Sequence, residues 1–253
     1  MDERAMQPAP AEMPQRLPEA HPTHESPGRP LEDGRALTIL TAEHWSLISA
    51  RGLVYNEAFA RGGMFLTFLS ATLVALGLIS TGTGFSAEFL GVVAVVFALD
   101  LFIGVATLVR VADATAEDVR YLQGMNRLRY AYHEMVPGLD RYFTSGHHDD
   151  AQGIFPVYGA ETEPTSRRAI AHVFTTTLGM VGVIDAAVGA ALVGDVLLLL
   201  GVGTVPVLTA AVVTFVAGVV AAIVYMFRHM GRTIASLQPV FPTPGPGDPM
   251  PQP

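Results

Sequence analysis

The sequence contains no cysteine and no lysine, and charge of either sign is nearly absent from two long tracts. Without cysteine, disulfides, thiolate metal sites and cysteine nucleophiles are excluded. Residues 62–109 carry only Glu88 and Asp100 as charged side chains, and residues 169–227 carry only Asp185 and Asp195. A transmembrane helix needs about 20 mostly apolar residues, so each tract is long enough to cross a bilayer twice.

Targeting and catalytic motifs are also missing. The first 36 residues are polar and proline-rich, with no apolar stretch of signal-peptide length. We therefore expect no cleaved signal, and we expect the first crossing to direct insertion itself. The P-loop, the G-x-S-x-G elbow and the H-E-x-x-H zinc motif do not occur in the chain. The sequence predicts neither an enzyme nor a bound cofactor.

Apolar sequence is what the chain has in abundance. Hydrophobic residues make up 50% of it, and its mean hydropathy is +0.40. This pattern predicts an all-α integral membrane protein, with four transmembrane helices in two hairpins and cytoplasmic helical extensions. The crossings are expected at about residues 62–81, 89–109, 174–200 and 205–227.

Arginine is distributed on one side of these crossings only. Arg61 precedes the first crossing and Arg110 follows the second, while Arg168 precedes the third and Arg228 follows the fourth. The connecting turns, near residues 81–88 and 201–205, contain no arginine. Because cytoplasmic helix ends are enriched in basic residues, both termini and the central loop are predicted to be cytoplasmic. The membrane is expected to be the plasma (inner) membrane.

The other segments differ in composition. Polar, proline-rich tails cannot bury enough apolar surface to offset the entropy of ordering, so both tails are expected to be disordered. The predicted division is a tail over 1–36, a first helical unit over 37–136, a cytoplasmic loop over 137–168, a second hairpin over 169–236 and a tail over 237–253.

Apolar residues recur at heptad spacing on the cytoplasmic side of both helices of the first hairpin. Steps of three and four place them on one stripe of each helix, which predicts a stalk of two helices. On the first helix the stripe is Trp45, Ile48, Gly52, Tyr55 and Phe59. The residues expected to form the stalk are Trp45, Tyr55, Phe59, Tyr121, Leu128 and Tyr132. These stripes either pack within one chain or join two copies of it.

Small residues recur at every fourth position on both helices of the second hairpin. Small side chains let membrane helices approach closely and gain dispersion contacts. We expect the two sets to pack against each other within the hairpin, with a contact between copies as the alternative. The sets are Gly182, Ala186, Ala190 and Gly194, and Ala210, Thr214, Gly218 and Ala222.

Three aspartates lie inside the predicted crossings. Asp100 lies about 15 Å from the Arg110 boundary at the helical rise. A charge there costs about 2.5–3.5 kcal/mol on insertion scales, so the carboxyl should face protein or water. We expect Ser70 to donate to it. Asp185 is expected at the same depth, where two carboxyls could share a proton, and Asp195 near the external surface, in water. Asp100, Asp185 and Ser70 are thus candidates for a proton or cation path, with neutral packing groups as the alternative.

One polar loop contains metal-ligating residue types. His147, His148 and Asp149 are consecutive, so on an extended loop they point alternately to opposite sides and cannot all reach one ion. A metal site would need His133 and Glu134 as further ligands after folding. A solvated polar loop is the alternative interpretation.

Four short segments of the chain are of interest together: Leu40–Trp45, Gly124–Tyr132, Tyr142–Phe143 and His147–Asp150. Through these segments, part of the chain resembles known bacterial membrane proteins. The segment Leu37–Asp150 is similar to uncharacterised integral membrane proteins of GC-rich genomes, a resemblance that implies no activity. Its leading helix, two crossings and trailing helix are also similar in architecture to SLATT-type membrane effectors of bacterial nucleotide-signalled defence, which implies oligomerisation in the membrane.

Taken together, these features predict a non-enzymatic, self-associating membrane protein that acts as a sensor, scaffold or effector-type pore. The alternative is a small proton- or cation-coupled transporter that uses Asp100 and Asp185. The expected partners are the lipid bilayer and further copies of the chain. Nucleic acid is not expected, because the net charge is −8 and arginines beside a membrane more often meet lipid head groups.

Overall fold

A computed structural model describes residues 30–158 and 176–245, which form helices and connecting turns with no strand among them. The all-α fold class is confirmed. The expectations for residues 1–29, for 159–175 (with Arg167 and Arg168) and for 246–253 lie outside the described residues.

The first hairpin consists of two helices that are much longer than a bilayer is thick. Helix α1 spans Ala36–Thr83 and helix α2 spans Ala87–Met135. The turn between them uses Gly84, whose φ of +63° favours glycine, and Ser86 caps α2 by accepting a hydrogen bond from the Phe89 amide. At the helical rise each helix is about 70 Å long, against about 30 Å of hydrocarbon.

A short helix precedes the second hairpin. Helix α3 spans Ala151–Ile154, within the segment 137–168 that was predicted to be a cytoplasmic loop. Helix α4 spans Thr177–Leu199 and α5 spans Thr204–Ser236, with Gly201 at a φ of +75° in the turn. Three short 3-10 turns, Pro30–Glu32, Asp140–Tyr142 and Phe155–Tyr158, complete the described elements.

Helices α2 and α4 form the centre of the bundle, with α1 packed on α2 and α5 packed on α4. Each outer helix therefore leaves much of its apolar surface uncovered, as lipid-facing helices do. All four long helices are apolar enough to cross a membrane, which makes the chain a multi-pass membrane protein. Exposed side chains on α5 include Val205, Leu208, Val212, Val216, Val220 and Phe227.

The bundle has two distinct ends. The turns at Gly84 and Gly201 lie at one end, called here the turn end. Arg61, Arg110 and Arg228 lie at the other end, called here the arginine end, beyond which α1 and α2 continue as a stalk.

Small residues set the spacing between α4 and α5. A Cβ added to Gly182 would lie 2.9 Å from the Cβ of Ala222, and one added to Gly218 would lie 2.9 Å from the Cβ of Ala186. The predicted packing of the two small-residue sets within the hairpin is confirmed. Close contact of these helices leaves the sets unavailable for an interface between copies.

The segment that follows α5 differs from the predicted disordered tail. Gln238 accepts a hydrogen bond from Arg127 of α2, and the backbone amides of Val240 and Phe241 donate to Asp149. The prediction of disorder is therefore wrong for this part of the tail. Its many prolines do not prevent docking, because extended backbone can bond to side chains without forming a helix.

Candidate functional site

Asp100 is completely buried between α1 and α2. Thr72 donates to Asp100 Oδ1 at 3.4 Å, while Oδ2 has no hydrogen-bond partner among the described residues. The prediction that Ser70 donates to Asp100 is wrong. Ser70 lies on an exposed face of α1 and donates to the Leu66 carbonyl instead. Two residues turn a helix by about 200°, so only one of Ser70 and Thr72 can face α2.

Asp185 lies between α4 and α2 in a space that a glycine provides. A Cβ at Gly104 would lie 1.7 Å from Asp185 Oδ1 and 2.9 Å from the Phe65 ring. Asp185 is 6% exposed, and within the described chain neither carboxyl oxygen has a hydrogen-bond partner. Along the membrane normal, the Asp185 carboxyl lies at the height of Gly104, which is one helical turn from Asp100 on α2. The two carboxyls form no hydrogen bond with each other. The expectation that they share a proton directly is therefore wrong.

Asp195 is also buried, which corrects the expectation that it would be wet. It is 7% exposed, and its Oδ2 has no hydrogen-bond partner in the described residues. It is four residues from the end of α4, so distance along the chain suggested an exposed position near the external surface. The side chain nevertheless points inward, because the packing of α4 buries this face up to its last turn.

A carboxylate at the centre of the stalk joins three elements. Asp118 of α2 accepts hydrogen bonds from Arg51 at 2.5 and 3.1 Å, from the Tyr55 hydroxyl at 3.0 Å and from the Tyr158 hydroxyl. Asp118 is 1% exposed. Burial, followed by the hydrogen bond and charge of Asp118, raises the pKa of Tyr158, which therefore remains a neutral donor. Every oxygen of this carboxylate is used, so the cluster holds the fold together.

Ion pairs cluster where α1 and α2 reach the arginine end. Arg110 donates to both oxygens of Glu57, at 3.0 and 2.7 Å, and to Glu117 at 2.9 Å. Arg61 also pairs with Glu57 at 2.9 Å. These groups are partly exposed, so the cluster fixes the level of α1 against α2 more than it adds stability.

The stalk is built on a different face of α1 from the one predicted. His44 stacks on Tyr132 at 6.0 Å, and Leu47 packs on Gly124, followed along the helix by Arg51 on Asp118. The stalk residues predicted on α2 do lie in the stalk, since Leu128 is buried and Tyr121 and Tyr132 are half-buried. On the α1 side, Tyr55 does contact α2 by donating to Asp118, but Trp45 and Phe59 face outward, so the prediction of packing within one chain is wrong for them. Exposed fractions there are Trp45 65%, Ile48 39%, Tyr55 41% and Phe59 63%.

The loop that was considered for metal binding instead fastens the C-terminal segment. Arg127 and the amide of Val240 donate to Asp149 Oδ2, at 2.7 and 2.9 Å, and the amide of Phe241 donates to Oδ1 at 2.7 Å. The rings of His147 and His148 lie 4.3 Å apart, and His147 stacks on His133. Within residues 30–158 and 176–245 no three His, Asp or Glu side chains could hold a metal ion. The metal hypothesis is wrong for Asp149, whose oxygens are already occupied.

Asp150 completes this clasp, which consists of Asp149, Asp150 and the segment 238–243. Asp150 accepts from the amide and hydroxyl of Thr243, at 2.9 and 2.8 Å, and caps α3 through the Gly153 amide. Phe241 stacks on Tyr130 with ring centroids 3.9 Å apart. Tyr130 and Arg127 are thus used inside the fold.

Replacing Asp149 by asparagine is expected to release the C-terminal segment. Burial alone would raise the pKa of Asp149, but hydrogen bonds from Val240, Arg127 and Phe241 outweigh it and hold the pKa below its ordinary value. A carboxyl with a lowered pKa stabilises the fold above its unfolded value of about 3.9, and that contribution is lost as pH falls further. Amide hydrogen exchange at residues 240 and 241 should be faster in Asp149→Asn than in wild type. In wild type, the exchange of these amides should become faster only when the pH falls below about 3.9. Unchanged exchange in the variant would contradict the clasp.

A cavity of about 450 Å³ opens at the arginine end, beside the Asp118 cluster. Its walls come from α1, α2, the 3-10 turn after α3, and the facing ends of α4 and α5. Its lining is mostly apolar and includes Tyr55, Phe59, Tyr158, Leu178, Val111 and Met230.

Comparisons of the chain with protein-family models, with curated proteins and with solved structures gave no match. The function is therefore argued from the residues themselves.

Sequence reasoning missed several of the residues that organise these sites. Heptad spacing and composition assign no role to Asp118, Arg51, Tyr158 or Thr72. One signal was available: a carboxylate in the middle of an apolar stripe must find a partner on the facing helix. Arg51 is the cation on α1 that lies at the same height as Asp118, and it is the partner that this argument predicts.

Proposed function

We propose that this protein is a non-enzymatic, self-associating protein of the bacterial plasma (inner) membrane, with both termini in the cytoplasm. It would act as a sensor, scaffold or effector-type pore. The observation that carries the proposal is the exposed stripe of α1, formed by Trp45, Ile48, Gly52, Tyr55 and Phe59.

Lipid does not account for most of this stripe. Trp45 precedes Arg61 by 16 residues, which places it about 24 Å beyond the arginine end at the helical rise. At that distance the side chain is past the head-group region and in water, where a contiguous exposed apolar surface marks an interaction site. The arrangement supports a protein partner for the outer part of the stripe.

A second copy of the chain is the partner that fits best. Two copies inserted with the same orientation bring their stalks side by side, parallel and at equal height. A heptad stripe is then opposite its own equivalent, which is the geometry of a parallel coiled coil. Gly52, with no side chain and no neighbour, sits in the middle of the stripe and permits close approach.

Removing the two outermost apolar side chains of the stripe should weaken association. We expect Trp45→Ser combined with Ile48→Ser to lower the association constant at least about tenfold, since buried aromatic anchors dominate interfaces. Mass measured by light scattering in mild detergent, over a range of protein concentrations, checks this. Leu53→Ser is the matched control, because Leu53 is 71% exposed but lies on another face of α1. A strictly monomeric wild type would overturn the proposal.

A further inference from the structure

Three buried aspartates lie within the membrane-crossing part of the bundle. They are 0%, 6% and 7% exposed for Asp100, Asp185 and Asp195. The facing helices bring no cation to them: residues 62–83 of α1 and 204–224 of α5 contain no charged side chain. Tyr225 and Arg228 are further toward the arginine end, and Arg110 is paired with Glu57 and Glu117. A charged carboxylate in such surroundings is costly.

The carboxyls are arranged in series along the membrane normal. Asp185 contacts the position of Gly104, and Asp100 follows one turn, about 6 Å, closer to the turn end. Asp195 lies ten residues beyond Asp185 along α4, about 15 Å further toward the turn end. Only about 6 Å of helix then remain before Leu199.

Each of the three carboxyls has oxygen that the protein leaves unused. Both oxygens of Asp185, and the Oδ2 atoms of Asp100 and Asp195, are buried without a hydrogen-bond partner in the described part of the chain. Packing groups are normally satisfied, because burying an unpaired polar atom is costly. In contrast, both oxygens of Asp118 and both oxygens of Asp149 accept hydrogen bonds.

The cavity at the arginine end leads toward the first member of the series. Leu178 lines it and lies seven residues before Asp185 on α4, and Val111 lines it seven residues after Gly104 on α2. At the helical rise, seven residues correspond to about 10 Å, so both Leu178 and Val111 place the wall of the cavity about 10 Å from the Asp185 carboxyl.

From these positions we propose that Asp185, Asp100 and Asp195 form a proton route across the bundle, entered from the cavity at the arginine end. Water from that side delivers a proton to a vacant Asp185 oxygen as Asp185 gives up its own. The released proton crosses a bridging water to Asp100. It then crosses a chain of waters over the remaining distance of about 9 Å to Asp195, and leaves to water at the turn end. At each step one O–H bond breaks as another forms, so the net product is one translocated proton. The route belongs to a single chain and goes beyond the proposed self-association.

The test is proton flux into liposomes containing the full chain and a trapped pH-sensitive dye, with a potassium ionophore to balance charge. We expect wild type to dissipate a pH gradient faster than protein-free liposomes. Asp100→Asn and Asp185→Asn should each lose at least about tenfold of that rate, since asparagine keeps the shape but cannot carry the proton. Asp113→Asn, which alters an exposed carboxylate of the stalk, should keep it. A wild-type rate equal to that of empty liposomes, or an Asp185→Asn rate equal to wild type, would overturn the route.

Chemical labelling of the wild-type protein tests the route without any variant, so it does not depend on whether the variants fold. An apolar carbodiimide reacts with protonated carboxyls inside membranes, so wild type should form adducts at Asp100 or Asp185, decreasing as pH rises. Absence of any adduct on the three aspartates in acid buffer would contradict the route. Mass measured on the same sample reports self-association separately, so failure of one proposal is distinguishable from failure of the other.

Discussion

Replacing Asp118 by alanine is expected to be the most damaging single change at the arginine end. Asp118 is 1% exposed and accepts hydrogen bonds from Arg51, Tyr55 and Tyr158. Its removal leaves a half-buried guanidinium and two hydroxyls without their acceptor. Breaking a buried pair from one side costs about 3–5 kcal/mol. The free energy of unfolding in detergent, followed by circular dichroism, should fall by that amount.

Two further variants make this expectation specific. Asp113→Ala removes a carboxylate from the same helix whose side chain is 49% exposed and whose neighbour is His229 at 3.5 Å, and it should change stability by less than about 0.5 kcal/mol. Combining Asp118→Leu with Arg51→Met removes both charges and should cost less than Asp118→Ala alone. An Asp118→Ala protein as stable as wild type would show that the cluster does not hold the stalk together.

A single methyl group at position 104 is expected to separate the two central helices. The added Cβ would meet Asp185 Oδ1 at 1.7 Å and the Phe65 ring at 2.9 Å, and both neighbours are confined by packing. Overpacking of this kind costs about 1–3 kcal/mol, although alanine is intrinsically the better helix former. Gly104→Ala should therefore unfold at a lower denaturant concentration than wild type.

The control lies on the same helix. Gly91 has nothing within 4 Å of an added Cβ, so Gly91→Ala should leave stability unchanged or raise it. Removing the carboxyl should relieve the clash, so Asp185→Ala should recover part of the loss in Gly104→Ala. If the double variant is no more stable than Gly104→Ala, the contact with Asp185 is not the cause.

The fold could be predicted because a bilayer limits the solutions available. Two nearly uncharged tracts, each about twice the length of a crossing, leave only helical hairpins, since every backbone polar group must be satisfied internally. The small residues of α4 and α5 identified their own contact, because glycine and alanine at every fourth position let backbones approach. Both inferences depend on local composition, which the sequence displays directly.

The face that α1 presents to α2 could not be predicted in the same way. Apolar periodicity favoured Trp45 and Phe59, but the actual contacts run through Arg51, and deeper through Phe65 and Thr72, on an adjacent face. Two of these are polar, and they face α2 because their partners, Asp118 and Asp100, are buried there. Pairing across helices depends on the relative rotation of two elements, which no single helix encodes.

Tertiary contacts between distant segments were equally hidden. Asp149 looked like a metal ligand because it follows two histidines, yet its partners, Val240 and Phe241, lie 91 and 92 residues away. The burial of Asp195 likewise depends on what α4 packs against. Asp100 and Asp185 could be identified as buried because depth along a helix follows from counting residues.

Disulfide cross-linking in native membranes tests the central claim, self-association through the α1 stripe, most directly. The chain has no cysteine, so one introduced cysteine reports on one position. Equivalent positions in a parallel pair of helices come within disulfide range when they face each other. Under mild oxidation, Gly52→Cys should form a covalent dimer, whereas Leu53→Cys, exposed on another face, should form no covalent dimer. Equal cross-linking at both positions, or none at Gly52→Cys, would contradict the account.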